Sequence, residues 1–182
     1  MPISFQKEEC FKHINPDYFF LCLIIDGYAV LMIDGERFML VKNMILCLKP
    51  ACTITLLASN DLHAYSVSFA PSFINVNLKD FDFIQSPEYP QLCRTFGYPD
   101  FSLFMNHGSI YKGILPLNTD VAFCVKNLLE QILYHLSEQS DHKWSCHSRS
   151  YILKLMELLE LEQKRFERTL CYHDDFILDV IS

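Results

Sequence analysis

Glycine is scarce in this 182-residue sequence: Gly27, Gly35, Gly97, Gly108 and Gly113 are its five, too scattered for a loop that cradles phosphate. No Gly-x-Ser-x-Gly elbow is present, so nothing marks a serine nucleophile. No stretch of about 18 uncharged residues occurs, and a membrane span is therefore not expected. Basic residues never cluster and the formal net charge is −7, a poor surface for gripping phosphates directly. The stretch Met1–Asn15 carries Lys7, Glu8, Glu9 and Lys12 and lacks the apolar segment of a secretory signal. No Cys-x-x-Cys occurs either. The eight cysteines, Cys10, Cys22, Cys47, Cys52, Cys93, Cys124, Cys146 and Cys171, lie far apart, several inside apolar runs where a thiol acts as a small hydrophobe. They read as reduced cysteines of a cytoplasmic protein.

Apolar side chains are plentiful, at 51% of the residues, enough for one packed domain. From Asp17 to Phe69 they come in short runs separated by turn chemistry. Tyr18–Ile25, Tyr28–Ile33 and Glu36–Val41 are divided by Asp26-Gly27 and Asp34-Gly35, pairs that tolerate the positive φ of a tight hairpin. Lys42-Asn43 offers another turn before Met44–Lys49, and Pro50-Ala51 ends that strand. Thr53–Ala58 and Ala64–Phe69 follow, with Ser59-Asn60-Asp61 as a loop between them and Pro71 closing the series. The expected product is a β-meander closing into a sandwich or barrel. Pro87, Pro90 and Pro99 predict loops with a short helix from Ser86-Pro87, and Ser109–Leu115 a last strand.

After Pro116 the apolar period changes to 3.6. Val121, Val125, Leu128, Leu129, Ile132 and Leu136 make one stripe, with Asn118, Thr119 or Asp120 as N-cap. After a polar break at Ser137–Lys143, Ile152, Leu155, Met156 and Leu159 make another, widened by Leu158 and Leu161. His173–Ser182 reads as a loop and then the apolar start of one more helix, which implies a further domain beyond it.

The run Leu23–Leu40, its continuation through Met44–Pro50, and Tyr65-Ser66-Val67-Ser68-Phe69-Ala70-Pro71 resemble the sensor domain of AraC-type transcription regulators. Asn43 stands where that family usually has glycine. The resemblance implies a mainly β fold: a cupin-like (double-stranded β-helix or jelly-roll) barrel followed by two antiparallel helices. It divides the chain into an N-terminal arm (1–15), barrel (16–116), dimerising helical pair (117–168), and a linker (169–182) opening a helix-turn-helix half. It further implies a small effector, a homodimer, and DNA contact only through that C-terminal half, which is absent from this chain. Sugars are the commonest effectors in the family, though nothing here selects one. The N-terminal arm would order over a bound ligand.

Two other readings stand beside it. A stand-alone cupin enzyme would need a His-x-His pair with a carboxylate and a third imidazole. None of His13, His63, His107, His135, His142, His147 or His173 is two residues from another. His142, Cys146 and His147 match no common zinc-site spacing and read as exposed polar residues. No catalytic residue, metal or cofactor is expected. The other reading is a filled barrel that only dimerises. Along Ala64–Phe69 small residues (Ala64, Ser66, Ser68) alternate with large ones (Tyr65, Val67, Phe69). Alternation alone puts the large face in the core and the serines in solvent. The family comparison instead turns the small face inward, giving Phe20, Cys22, Ile24, Leu56, Ser66 and Ser68 as the ligand set. Tyr151, Leu155, Leu158 and Leu159 are the candidate dimer residues, because their stripe is wider than one packing seam requires.

Overall fold

The computed structural model describes residues 3–7, 10–12, 14–78, 81–105, 111–138 and 143–181. Its sheet contains β1 (Ile3–Lys7), β2 (Phe19–Ile33), β3 (Glu36–Val41), β4 (Met44–Leu48), β5 (Ile54–Phe69) and β6 (Ile114–Pro116). Every pairing is antiparallel, in the order β1-β5-β2-β4-β6, with β3 branching off β2.

The expected hairpin at Asp34-Gly35 is present, with φ of 48° and 86° at its central residues and Ile33 opposite Glu36. The one expected at Asp26-Gly27 is not. β2 runs straight through it, paired along its length with β5, and the register shifts on both sides of Asp26. Gly27 has φ of 71°, and a Cβ there would collide with the backbone carbonyls of Asn60 and Asp61. The glycine therefore makes a bulge where two long strands bend together. For the same reason Ser59-Asn60-Asp61 is strand rather than loop, with Asp61 at φ of 45°.

This bend replaces the expected meander. One half of β2 (Phe20–Leu23) pairs with β4, and the other (Tyr28–Ile33) pairs with β3. Side chains from both halves nevertheless share one apolar cluster with Leu40, Leu46, Leu48 and Ala64, so the sheet curls into a cup. Among the described residues β1 and β6 do not pair, and the barrel is not closed by hydrogen bonds. The expected arm is partly built in: Ile3–Lys7 is already an edge strand on Phe69–Tyr65.

Four short helices follow, α1 (Pro71–Ile74), α2 (Phe81–Gln85), α3 (Tyr89–Phe96) and α4 (Ser102–Met105), and after β6 come α5 (Thr119–Glu138) and α6 (Trp144–Ile181). Asn118 caps α5, its Oδ1 accepting from the Val121 N–H at 2.9 Å. The loop expected near His173 is absent, and the backbone stays helical to Ile181 because no Gly or Pro interrupts it; side chains beyond residue 170 lie outside the description. No helix among the described residues is long and apolar enough to cross a membrane.

The helices cover the convex face. Phe19, Leu21, Leu23, Val67 and Phe69 pack there with Phe101, Phe104, Val125, Leu129, Ile132, Ile152, Leu155 and Leu159. Both faces of β2 and β5 are thus buried around Phe19–Ile24 and Ala64–Phe69.

Candidate ligand-binding site

The cup is lined by the even-numbered side chains of the near half of β2. Phe20 sits opposite Ser68, Cys22 opposite Ser66, and Ile24 opposite Ala64. On the other flank Phe20 meets Leu48 and Cys22 meets Leu46. Ser66 is 2% exposed and Ser68 6%, so the serines are enclosed and the solvent-facing alternative fails. It fails because the convex face is taken by helices, leaving neither face of β5 to water here.

Five of the six expected ligand residues, Phe20, Cys22, Ile24, Ser66 and Ser68, come together on this surface. Leu56 does not. It lies on the far half of β5, 40% exposed, beyond the bend at Asp61, where β2 is the one strand pairing with it among the described residues. Sequence reasoning missed Cys10 and Phe11 from the arm. The Cys10 thiol donates to the Ala64 carbonyl at 3.3 Å, and Phe11 tilts against Phe20 at 6.1 Å. Both lie next to charged residues in the chain, which disguised them. Burial first, then the hydrogen bond and charge of Cys10, holds the Cys22 thiol well above its ordinary value. Burial likewise pushes Cys47 up to about 12. These thiols stay protonated and are poor nucleophiles. A water-sized space of about 10 Å³ at the rim touches Ile14, Tyr18, Phe20, Leu48 and Ile54. A ligand on the cup therefore needs side chains there, or the arm, to move.

The expected dimer residues divide. Leu155 and Leu159 are fully buried in this chain's own core and are withdrawn as contacts for a second subunit, because the sheet and α5 already occupy their side of α6. Tyr151 and Leu158 are half-buried, and Leu161, three positions past Leu158 at the edge of the stripe, is exposed. The Tyr151 ring stacks on His135 at 5.6 Å, and His135 stacks on His147 at 4.8 Å. Cys146 and His147 are exposed, and no trio of potential metal ligands occurs among the described residues, outside which His142 lies.

Away from the cup, Glu160 of α6 has a perturbed carboxyl. Burial, and then the neighbouring Asp100 carboxylate, pushes it up to about 7, with Lys164 pulling the other way. The folded chain thus keeps a proton that the unfolded chain releases, and stability falls as pH rises from about 4.5 to 7. Glu160→Gln is expected to flatten that part of a urea-stability profile. At about pH 8 the gain should be on the order of 1 kcal/mol, allowing for solvent screening. An unchanged slope would show a well-hydrated carboxylate.

Comparison with known proteins returns one family model, the AraC-like ligand binding domain, matched over residues 4–160. No curated protein matches. Among solved structures, ToxT from Vibrio cholerae in an apo form aligns over 89% of this chain and 55% of its own, at 11% identity and TM-score 0.47. The AraC-like transcriptional activator CuxR aligns over 85% and 48%, at 10% identity and TM-score 0.38. A cupin protein from Bacteroides fragilis aligns over 37% and 62%, at 19% identity and TM-score 0.29. The chain spans about half the length of the two AraC-like proteins.

Proposed function

The chain belongs to the AraC-like ligand binding domain family, and from that membership we propose that it is the sensing and dimerising part of a cytoplasmic DNA-binding regulator, not an enzyme. A small effector, of which a sugar is one class, binds the cup against Phe20, Cys22, Ile24, Ser66 and Ser68. Two copies associate through the Tyr151, Leu158 and Leu161 stripe of α6. DNA is met by a domain outside this chain, and no cofactor takes part.

The observation that carries this reading is the inward set of β5: small, hydroxyl-bearing Ser66 and Ser68 opposite apolar Cys22 and Phe20. Apolar walls with few polar groups suit a small-molecule site. Strand β5 also offers a route outward, since Tyr65, between Ala64 and Ser66, donates its hydroxyl to Glu130 of α5 at 3.2 Å. A ligand that displaces Ser66 would act on the helices through that strand. It shifts the regulator only as far as it prefers one arrangement.

Thermal denaturation with a panel of aldoses, aromatic acids and short peptides tests the proposal, with particle mass followed by light scattering. One class should stabilise the chain, by about 2.7 kcal/mol at a hundredfold excess over Kd. Ser66→Leu, folded by circular dichroism, should abolish that shift. The particle should weigh twice the 21.3 kDa chain and revert to one copy in Leu161→Arg. No shift with any class, or equal shifts in Ser66→Leu, would favour a filled barrel. A monomer would remove the α6 contact.

A further inference from the structure

The groove beside the short helices is independent of the cup and carries two opposite charges that form no ion pair with each other. Its volume is about 490 Å³, within the range of small-molecule sites. Pro87, Pro90 and Met105 are its accessible apolar lining, over a buried floor of Ile84, Tyr89 and Phe101, and Arg94 and Asp100 are its charged members. The Tyr89 ring is fixed from below, its hydroxyl donating to the Pro99 carbonyl at 2.7 Å, with Phe83 edge-on at 5.9 Å and Phe101 at 6.3 Å. One Asp100 oxygen accepts from the Ser102 N–H at 2.8 Å, which sets the carboxylate's direction. Arg94 and Asp100 line the same groove, yet no ion pair joins them among the described residues.

We propose that this groove binds a small zwitterion with an apolar body, of the α-amino acid class: its carboxylate on Arg94, its ammonium on Asp100, its side chain against Pro87, Pro90 and Met105. A simple anion would face Asp100 and, behind it, Glu160, which interacts with Asp100 electrostatically. A simple cation would face Arg94. A molecule carrying both charges on neighbouring atoms satisfies both, and an aromatic or branched side chain matches the lining.

Isothermal titration calorimetry of the chain with L-phenylalanine and L-leucine, against 3-phenylpropionate and phenethylamine, tests the assignment. The amino acids should bind, and each singly charged analogue should bind about tenfold or more weakly. Arg94→Gln and Asp100→Asn, both exposed substitutions that leave the core intact, should each weaken the amino acid by a similar factor. Leu56→Ala, an exposed change on the far half of β5 and away from both the cup and the groove, should leave this binding unchanged. The proposal is overturned by no measurable heat at millimolar amino acid, by equal affinity for an analogue, or by unchanged affinity in both Arg94→Gln and Asp100→Asn.

Discussion

Phe19→Ala is expected to cost about 3–5 kcal/mol of folding stability, among the largest effects of any single truncation in this chain. Phe19 is fully buried. Its ring stacks on Phe101 at 4.6 Å and meets Phe104 at 4.8 Å, Phe69 at 5.7 Å and Phe81 at 5.8 Å. These partners come from β5, α2, α4 and the residue before α4, so one side chain fastens the convex face to the helical layer. Removing it forfeits the transfer free energy of the ring and leaves a void that four aromatic neighbours, each held by others, cannot readily fill. In urea the midpoint should fall with the slope of the transition unchanged. A loss below about 1.5 kcal/mol would mean that the aromatic cluster closes over the gap, and that the helices depend little on it.

Phe20, the next residue, shows why the same truncation has a different meaning on the other face. Phe20 points into the cup beside Ser68 and Leu48. Sequence alone does not separate these two phenylalanines, since alternation tells inside from outside only where one face meets water. With helices on one side and a curled sheet on the other, Phe19–Ile24 is an unbroken apolar run. The small residues of β5 carry the information instead: Ala64, Ser66 and Ser68 face the cup, whereas Tyr65, Val67 and Phe69 face the helical layer.

Other features were legible for local reasons. The 3.6 period and the Asn118 cap marked α5, because those signals need only neighbouring residues. The first half of α6 was equally clear. What its stripe packs against was not, because Leu155 and Leu159 look the same in sequence whether the sheet or a second copy covers them. The groove that holds Arg94 and Asp100 was illegible altogether. It depends on how three short helices, spaced by prolines and aromatics, settle on the core.

Gly27→Ala should be comparably damaging, with a loss of about 3 kcal/mol or more. The same Asp-Gly dipeptide makes a hairpin at residues 34–35 and a bulge at residues 26–27, and the difference lies wholly in what stands opposite. Opposite Gly35 there is open space, so a Cβ there meets only the strain of positive φ, about 1 kcal/mol. Opposite Gly27 lie the backbone carbonyls of Asn60 and Asp61, which cannot turn aside without breaking the pairing of β2 with β5. Alanine there adds a backbone collision to the strain. The two long strands must then separate at the bend, and the cup, whose curl depends on that bend, loses the shape that gathers Phe20, Cys22, Ser66 and Ser68. Gly35→Ala is the matched control: its urea midpoint should fall only by the share that about 1 kcal/mol of strain accounts for, while Gly27→Ala falls about three times as far. Equal effects at the two glycines would mean that the strands slide past one another at little cost, and that the bend is no fixed part of the site.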